Sequence, residues 1–200
     1  MHPAPIFAVE AIGPILEHLK RHPLAAISAA PEGRIRVAHA PVLARELEGG
    51  TVLDFHLSRN NALAGHIEAG FEAVAVSMGP EAYVSPDWYA SDDQVPTWNY
   101  MSVELEGVVA PLDEAGLVAL LDDLSAQEEA RLAPKPAWTR NKMSVGRFDA
   151  MLRGIVGARL AITRLEATFK LSQNKSADDR QGVIAALGAH PLARAMQALK

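Results

Sequence analysis

The sequence predicts a mainly β chain with peripheral helices, an α+β protein whose strands close an antiparallel barrel. Three observations predict it. Short apolar or alternating runs recur at near-regular spacing, with hairpin turns between them. Helical stripes fall at the margins and not between successive strands, so the repeating strand–helix–strand pattern of a doubly wound sheet is missing. No Gly-x-Gly-x-x-Gly follows a strand and no Gly-Lys-Ser/Thr loop occurs, so any nucleotide must be held by another arrangement.

Each element has its own justification. In residues 9–22, Ile12, Ile15, Leu16 and Leu19 recur at helical spacing, with Glu17, Lys20 and Arg21 on the other face. Pro14 sets the helix start near Ala11 or Gly13, because first-turn amides have no intrahelical acceptor to lose. Residues 24–29 read as an apolar strand, Pro31-Glu32-Gly33 as a turn and residues 35–39 as the returning strand. Glu48-Gly49-Gly50 turns the chain into a strand at 52–57, and residues 62–69 read as a helix stopped by Gly70. Residues 73–78 form a further strand. Residues 101–109 alternate with period two, which leaves one face solvated.

Asp113 caps a helix whose Leu117, Leu120, Leu121 and Leu124 mark an apolar packing stripe. Residues 131–142 are irregular and proline-containing, 144–152 a short helix and 155–162 a strand. Ser176-Ala177-Asp178-Asp179 resembles a capping box, with Asp in place of Glu, before Val183, Ile184 and Leu187. Residues 191–200 form a terminal helix. No internal repeat or composition break divides the chain, so residues 1–200 are expected to be one domain with a helical extension from about 176.

A chain of 200 residues, 49% hydrophobic and 22% charged, is ordinary for a soluble globular protein. The absence of cysteine excludes disulfides, thiolate metal sites and a cysteine nucleophile, and points to a reducing cytoplasm. The start of the sequence lacks a basic segment followed by an apolar run, and no run is long enough to cross a bilayer, so no membrane association is expected. A net charge of −5 argues against strong sequence-independent binding of nucleic acid.

The basic candidate is residues 131–142, where Arg131, Lys135, Arg140 and Lys142 surround Trp138. It reads as an exposed connection or dimer contact. No helix pair carries a basic recognition face, so direct DNA binding lacks support. His39, His56 and His66 lack metal-ligand spacing, and no metal is expected.

The chemistry concentrates in one stretch. Two of the three tryptophans and all three tyrosines lie between Gly79-Pro80-Glu81-Ala82-Tyr83-Val84-Ser85-Pro86-Asp87-Trp88-Tyr89 and Val95-Pro96-Thr97-Trp98-Asn99-Tyr100. Rings with apolar faces and polar tips, on a backbone fixed by proline, suit a planar heteroaromatic ligand.

Three segments then carry a resemblance: Phe55-His56-Leu57-Ser58-Arg59-Asn60, the stretch 79–100, and Lys170-Leu171-Ser172-Gln173-Asn174. Their order and spacing resemble the PaiB family of FMN-binding proteins, often described as negative transcriptional regulators. Pro-Thr-Trp-Asn-Tyr and Lys-Leu-Ser-Gln-Asn are the distinctive segments; residues 3–7 and 39–41 add less. The resemblance implies an FMN-binding split β-barrel of the flavin-reductase and pyridoxamine-phosphate-oxidase kind, a homodimer with FMN near the subunit interface. The chain departs from the family's His-Leu-Ala-Arg-Ala-Asn at Ser58 and Asn60, and the closing asparagine falls on Asn61.

On this resemblance Arg59, where a strand ends and a helix begins, meets the FMN phosphate together with free helix amides, with His56, Ser58 and Asn60 as auxiliaries. The alternative for Arg59 is a surface ion pair. Thr97, Trp98, Asn99 and Tyr100 alternate in direction, so at most two face one cavity. Asn99 suits the flavin pyrimidine edge and Trp98 or Tyr100 the ring wall, against the alternative of an aromatic plug; Tyr83, Ser85 and Trp88 share that ambiguity. Lys170, with Gln173, reaches the phosphate or the N1 to C2 side of the ring, or else belongs to a solvated helix cap. Two functions follow: a PaiB-type regulator acting indirectly or through its flavin, and an FMN-dependent oxidoreductase for a small substrate. No catalytic residue is assigned.

Overall fold

Six strands form a closed antiparallel barrel in the computed structural model, which describes residues 4–199. Pro3 of the 3–7 segment and Lys200 of the expected terminal helix lie outside the described residues. The strands are β1 (Leu24–Ala29), β2 (Arg36–Leu47), β3 (Gly50–Ser58), β4 (Phe71–Val84), β5 (Thr97–Pro111) and β6 (Ile155–Lys170). They follow the order β1-β2-β3-β6-β5-β4, and β4 closes back on β1. Among the described residues five α-helices accompany them: α1 (Ile12–Arg21), α2 (Glu114–Ala130), α3 (Arg147–Leu152), α4 (Ala177–Leu187) and α5 (Pro191–Gln197).

Contacts resolve the chain into two units. The first holds the segment up to Arg21, Met78–Val103 and the segment from Glu166; the second holds His22–Ser77 and Glu104–Leu165. Neither is continuous in sequence.

In the second unit, β1 and β2 form the expected hairpin, paired from Leu24↔Pro41 to Ala29↔Arg36. Alternation buries Ala25, Ile27 and Ala29 and turns their neighbours outward. β3 pairs with β6 from Val52↔Ala161 to Ser58↔Ile155. Gly107 on β5 is required here: a Cβ would lie 2.0 Å from the Ala161 carbonyl oxygen. Leu117, Leu120 and Leu124 of α2 pack against Leu43, Leu112 and Ile155, and Asp113 caps the helix by accepting from the Gly116 amide at 2.7 Å.

The buried Asp54 of β3 accepts from Arg159 Nε at 2.6 Å and Nη2 at 2.8 Å, and from Arg45 Nε at 2.9 Å. Arg45 also reaches Asp123 of α2 at 2.8 Å. The segment expected to be an α-helix at 62–69 is a tighter 3-10 helix, Ala64–Ala69, ended by Gly70 at φ 72°. The Asn61 side chain accepts from the Leu63 amide at 2.9 Å, so a turn occupies the residues that a first α-helical turn would need.

In the first unit, α1 buries Ile15, His18 and Leu19. The His18 ring stacks on Phe169 at 5.4 Å, and a Cβ on Gly79 would meet it at 2.7 Å. Ser85 starts the 3-10 turn Pro86–Trp88 by accepting from the Asp87 amide at 3.3 Å. α4 approaches this turn so closely that a Cβ on Gly182 would lie 2.1 Å from the Trp88 carbonyl oxygen. Its first turn holds Asp179, which accepts from the Ser91 amide and hydroxyl, both at 2.9 Å. Those bonds keep the Asp179 carboxyl below the usual carboxylate range.

Candidate functional site

In the first unit, β6 ends at Lys170 and β5 starts at Thr97, and the Lys170 ammonium donates to the Thr97 hydroxyl. The ammonium also lies 5.9 Å from the Phe7 ring centroid. Burial lowers the pKa of Lys170, and the positive charge of Lys175 lowers it further. Lys175 donates to the Gln94 side-chain oxygen and sits 4.8 Å from the Tyr89 ring centroid. Among the described residues, no carboxylate lies within ion-pair distance of either lysine. Two cations thus share one region with hydroxyl, amide and ring partners and, among the described residues, no direct ion pair, while Asp179 lies one step further, behind Ser91 and Gln94.

The turn after β6 is held by its own side chains. Gln173 accepts from the Leu171 amide at 2.7 Å and donates back to the Phe169 carbonyl. Ser172 adopts φ 63° and accepts from the Asn99 side-chain amide at 2.8 Å. Asn99 is 1% exposed, and its buried side-chain oxygen has no hydrogen-bond partner. Through that bond Asn99 fixes the turn that follows Lys170.

Alternation puts Thr97 and Asn99 on one side of β5 and Trp98 and Tyr100 on the other. Trp98, 54% exposed, meets Tyr83, 47% exposed, edge to face with centroids 6.2 Å apart. Ser85 is engaged as the cap of the following turn. Among the expected residues of this unit, the structure brings Thr97 to Lys170 and Tyr83 to Trp98, while Ser85, Asn99 and Gln173 hold backbone or one another's neighbours.

The remaining expected residues lie in the second unit. Arg59 donates its amide to the Gly154 carbonyl at 3.0 Å and its Nε to the Arg153 carbonyl at 2.9 Å. The expectation of free helix amides beside it is corrected. The Asn60 amide donates to the Ser58 hydroxyl, the Asn61 amide to the Ser58 carbonyl and the Leu63 amide to Asn61. The amides of Asn60, Asn61 and Leu63 are thus bonded within the turn. Arg59 lines a cavity of about 350 Å³ shared with Arg153 and with Glu68, Glu114 and Asp149, so three carboxylates face two cations and the lining is net acidic.

His56 faces a different cavity, of about 310 Å³, walled in part by Trp138 and Phe148. Burial lowers its pKa, so the ring is neutral at pH 7, and its Nδ1 is buried without a hydrogen-bond partner. The cations of residues 131–142 are engaged: Arg131 with Glu128, Lys135 with Glu129, Arg140 with Asp122, and Lys142 with the Ala137 carbonyl. Among the described residues, no three histidine or carboxylate side chains gather as a metal site. Lys175 and Gln94 were absent from the sequence reading; the signal was a second lysine five residues after Lys170.

A family model described as "Putative FMN-binding domain" matches residues 1–164. The Bacillus subtilis protein named "Protease synthase and sporulation protein PAI 2" is 29% identical over 153 residues, 76% of this chain and 72% of that protein. An uncharacterized protein of Aspergillus fumigatus is 30% identical over 138 residues, 59% of this chain and about half of its own length (52%). Among solved structures, the FAD and heme binding protein from Mycobacterium smegmatis superposes with a TM-score of 0.61 at 19% identity, covering 92% of this chain and 81% of that one. The flavocytochrome Anf3 from Azotobacter vinelandii gives 0.57 at 19% identity, covering 84% and 72%. These likenesses show the fold.

Proposed function

Because the chain belongs to the PaiB-type FMN-binding domain family, we propose that it holds FMN by its charged end at Lys170 and Thr97, with Lys175 adding positive charge. The observation that carries this reading is the desolvated Lys170 ammonium, which has a hydroxyl for company and no carboxylate within ion-pair distance among the described residues. A phosphate dianion offsets that unfavourable charge through charge-assisted hydrogen bonds. The donor set therefore fits the group. Thr97 is the first residue of β5, so a ligand longer than one ring can pass round the strand end toward Trp98 and Tyr83, which offer flat apolar faces.

In this reading Lys170 and not Arg59 carries the phosphate, because three carboxylates share the Arg59 cavity. His56, Ser58 and Asn60 then serve the turn around Arg59, and Asn99 and Gln173 fix the Lys170 turn. The exposed Tyr83–Trp98 pair is an apolar patch of the first unit for a second copy of the chain to cover, which accords with the homodimer the resemblance implies. A cysteine-free chain suits a reducing cytoplasm.

FMN, when bound, supplies hydride and single-electron chemistry. We propose that the regulatory role implied by the family resemblance runs through the flavin state, since the cations of residues 131–142 are already engaged. A second reading, FMN-dependent oxidoreductase, is favoured by Lys170 itself, whose fixed charge stabilises negative charge near the N1 to C2 edge of the ring.

The test is FMN affinity. Losing a charge-assisted hydrogen bond of about 1.5–3 kcal/mol weakens binding about tenfold or more, so Lys170→Met should do so while Arg59→Ala changes it by less than about threefold. The reverse ranking moves the phosphate to Arg59.

A further inference from the structure

The cavity of about 310 Å³ in the second unit is unlike the Lys170 region in chemistry. Trp138 and Phe148 wall it, Met143 and Met151 add polarizable thioethers, and His56 of β3 forms part of its lining. Its charged members balance: Arg140 Nε lies 3.2 Å from Asp122 Oδ1, and the guanidinium stands 5.0 Å from the Phe148 ring centroid. Neutral His56 adds no charge.

The aromatic wall is built and not incidental. Trp138 belongs to a segment without regular structure, yet its backbone amide donates to Glu129 Oε2 of α2 at 2.8 Å, and Lys135 donates to the same oxygen. The Lys135 bond and the Trp138 amide hold the Glu129 carboxyl below its ordinary range, so the clamp stays ionised at neutral pH. Lys142 closes the segment further by donating to the Ala137 carbonyl at 2.8 Å. An indole and a phenyl ring thus both line a void at the small end of the roughly 300–1,000 Å³ typical of ligand pockets.

We infer that this cavity is a binding site for an uncharged aromatic molecule of one or two fused rings. Its walls offer stacking faces and soft sulfur contacts, its ion pair is internally neutral, and it holds no unbalanced cation that would favour an anion. The site stands independently of the FMN reading.

2-Naphthol, titrated calorimetrically into the full chain, tests it. The inference predicts one saturable site per chain, binding weakened at least tenfold by Trp138→Ala and abolished by Met151→Trp, which fills the void from an exposed position and spares the fold. The anion 2-naphthoate should bind at least tenfold more weakly than 2-naphthol, and excess FMN should not displace the probe. Absence of saturable binding, or binding indifferent to Met151→Trp, overturns the inference. Displacement by FMN does so too, by making the cavity the flavin's own site.

Discussion

Asp54 is fully buried and Lys170 partly so, and the two charged residues differ in whether the chain supplies a direct ionic partner. Asp54, 1% exposed, is matched by two arginines. Breaking such a pair costs about 3–5 kcal/mol; because Arg45 and Arg159 keep 25% and 33% exposure, Asp54→Asn should lower unfolding free energy by about 3 kcal/mol in a urea titration. An unchanged midpoint would make the cluster a surface feature. Lys170 has no such match, which is why it reads as a site. Its motif was legible in the sequence, as was Thr97; the duties of Ser85, Asn99 and Gln173 were not. A polar side chain in a motif looks the same in sequence whether its partner is a ligand or a neighbouring backbone amide. His56 was read as a phosphate auxiliary; burial by neighbours distant in sequence lowers its pKa, an effect that the local sequence does not record.

Among elements, the hairpin, the Asp113-capped helix and the 177–187 helix were legible because cap, turn and periodicity signals agree locally. β4, β5 and β6 run 14, 15 and 16 residues, well beyond the apolar stretches that announced them. The strand read at 73–78 in fact continues through Gly79 and Pro80 to Val84 before the chain turns at Pro86–Trp88. The close contact of α4 with the Pro86–Trp88 turn was equally hidden, since its mark is a single glycine. Gly182→Ala improves helix propensity by up to about 1 kcal/mol yet drives a methyl group into the Trp88 carbonyl, so a net loss of about 1–3 kcal/mol is expected. A raised thermal midpoint would contradict that packing.

At the scale of the whole molecule, the barrel class followed from strand spacing, whereas the order β1-β2-β3-β6-β5-β4 did not. Pairing β3 with β6 joins Ser58 to Ile155, and no local signal records a partner almost a hundred residues away. The family match supplies the cofactor, and the proposal seats its charged end at Lys170 and Thr97. The most direct measurement is flavin absorbance across a gel-filtration profile, after the protein has been loaded with FMN and freed of excess. The account predicts flavin co-eluting with the protein at one per chain, and more of it released as salt screens the phosphate contact. All the flavin emerging in the small-molecule fraction at low salt would contradict it.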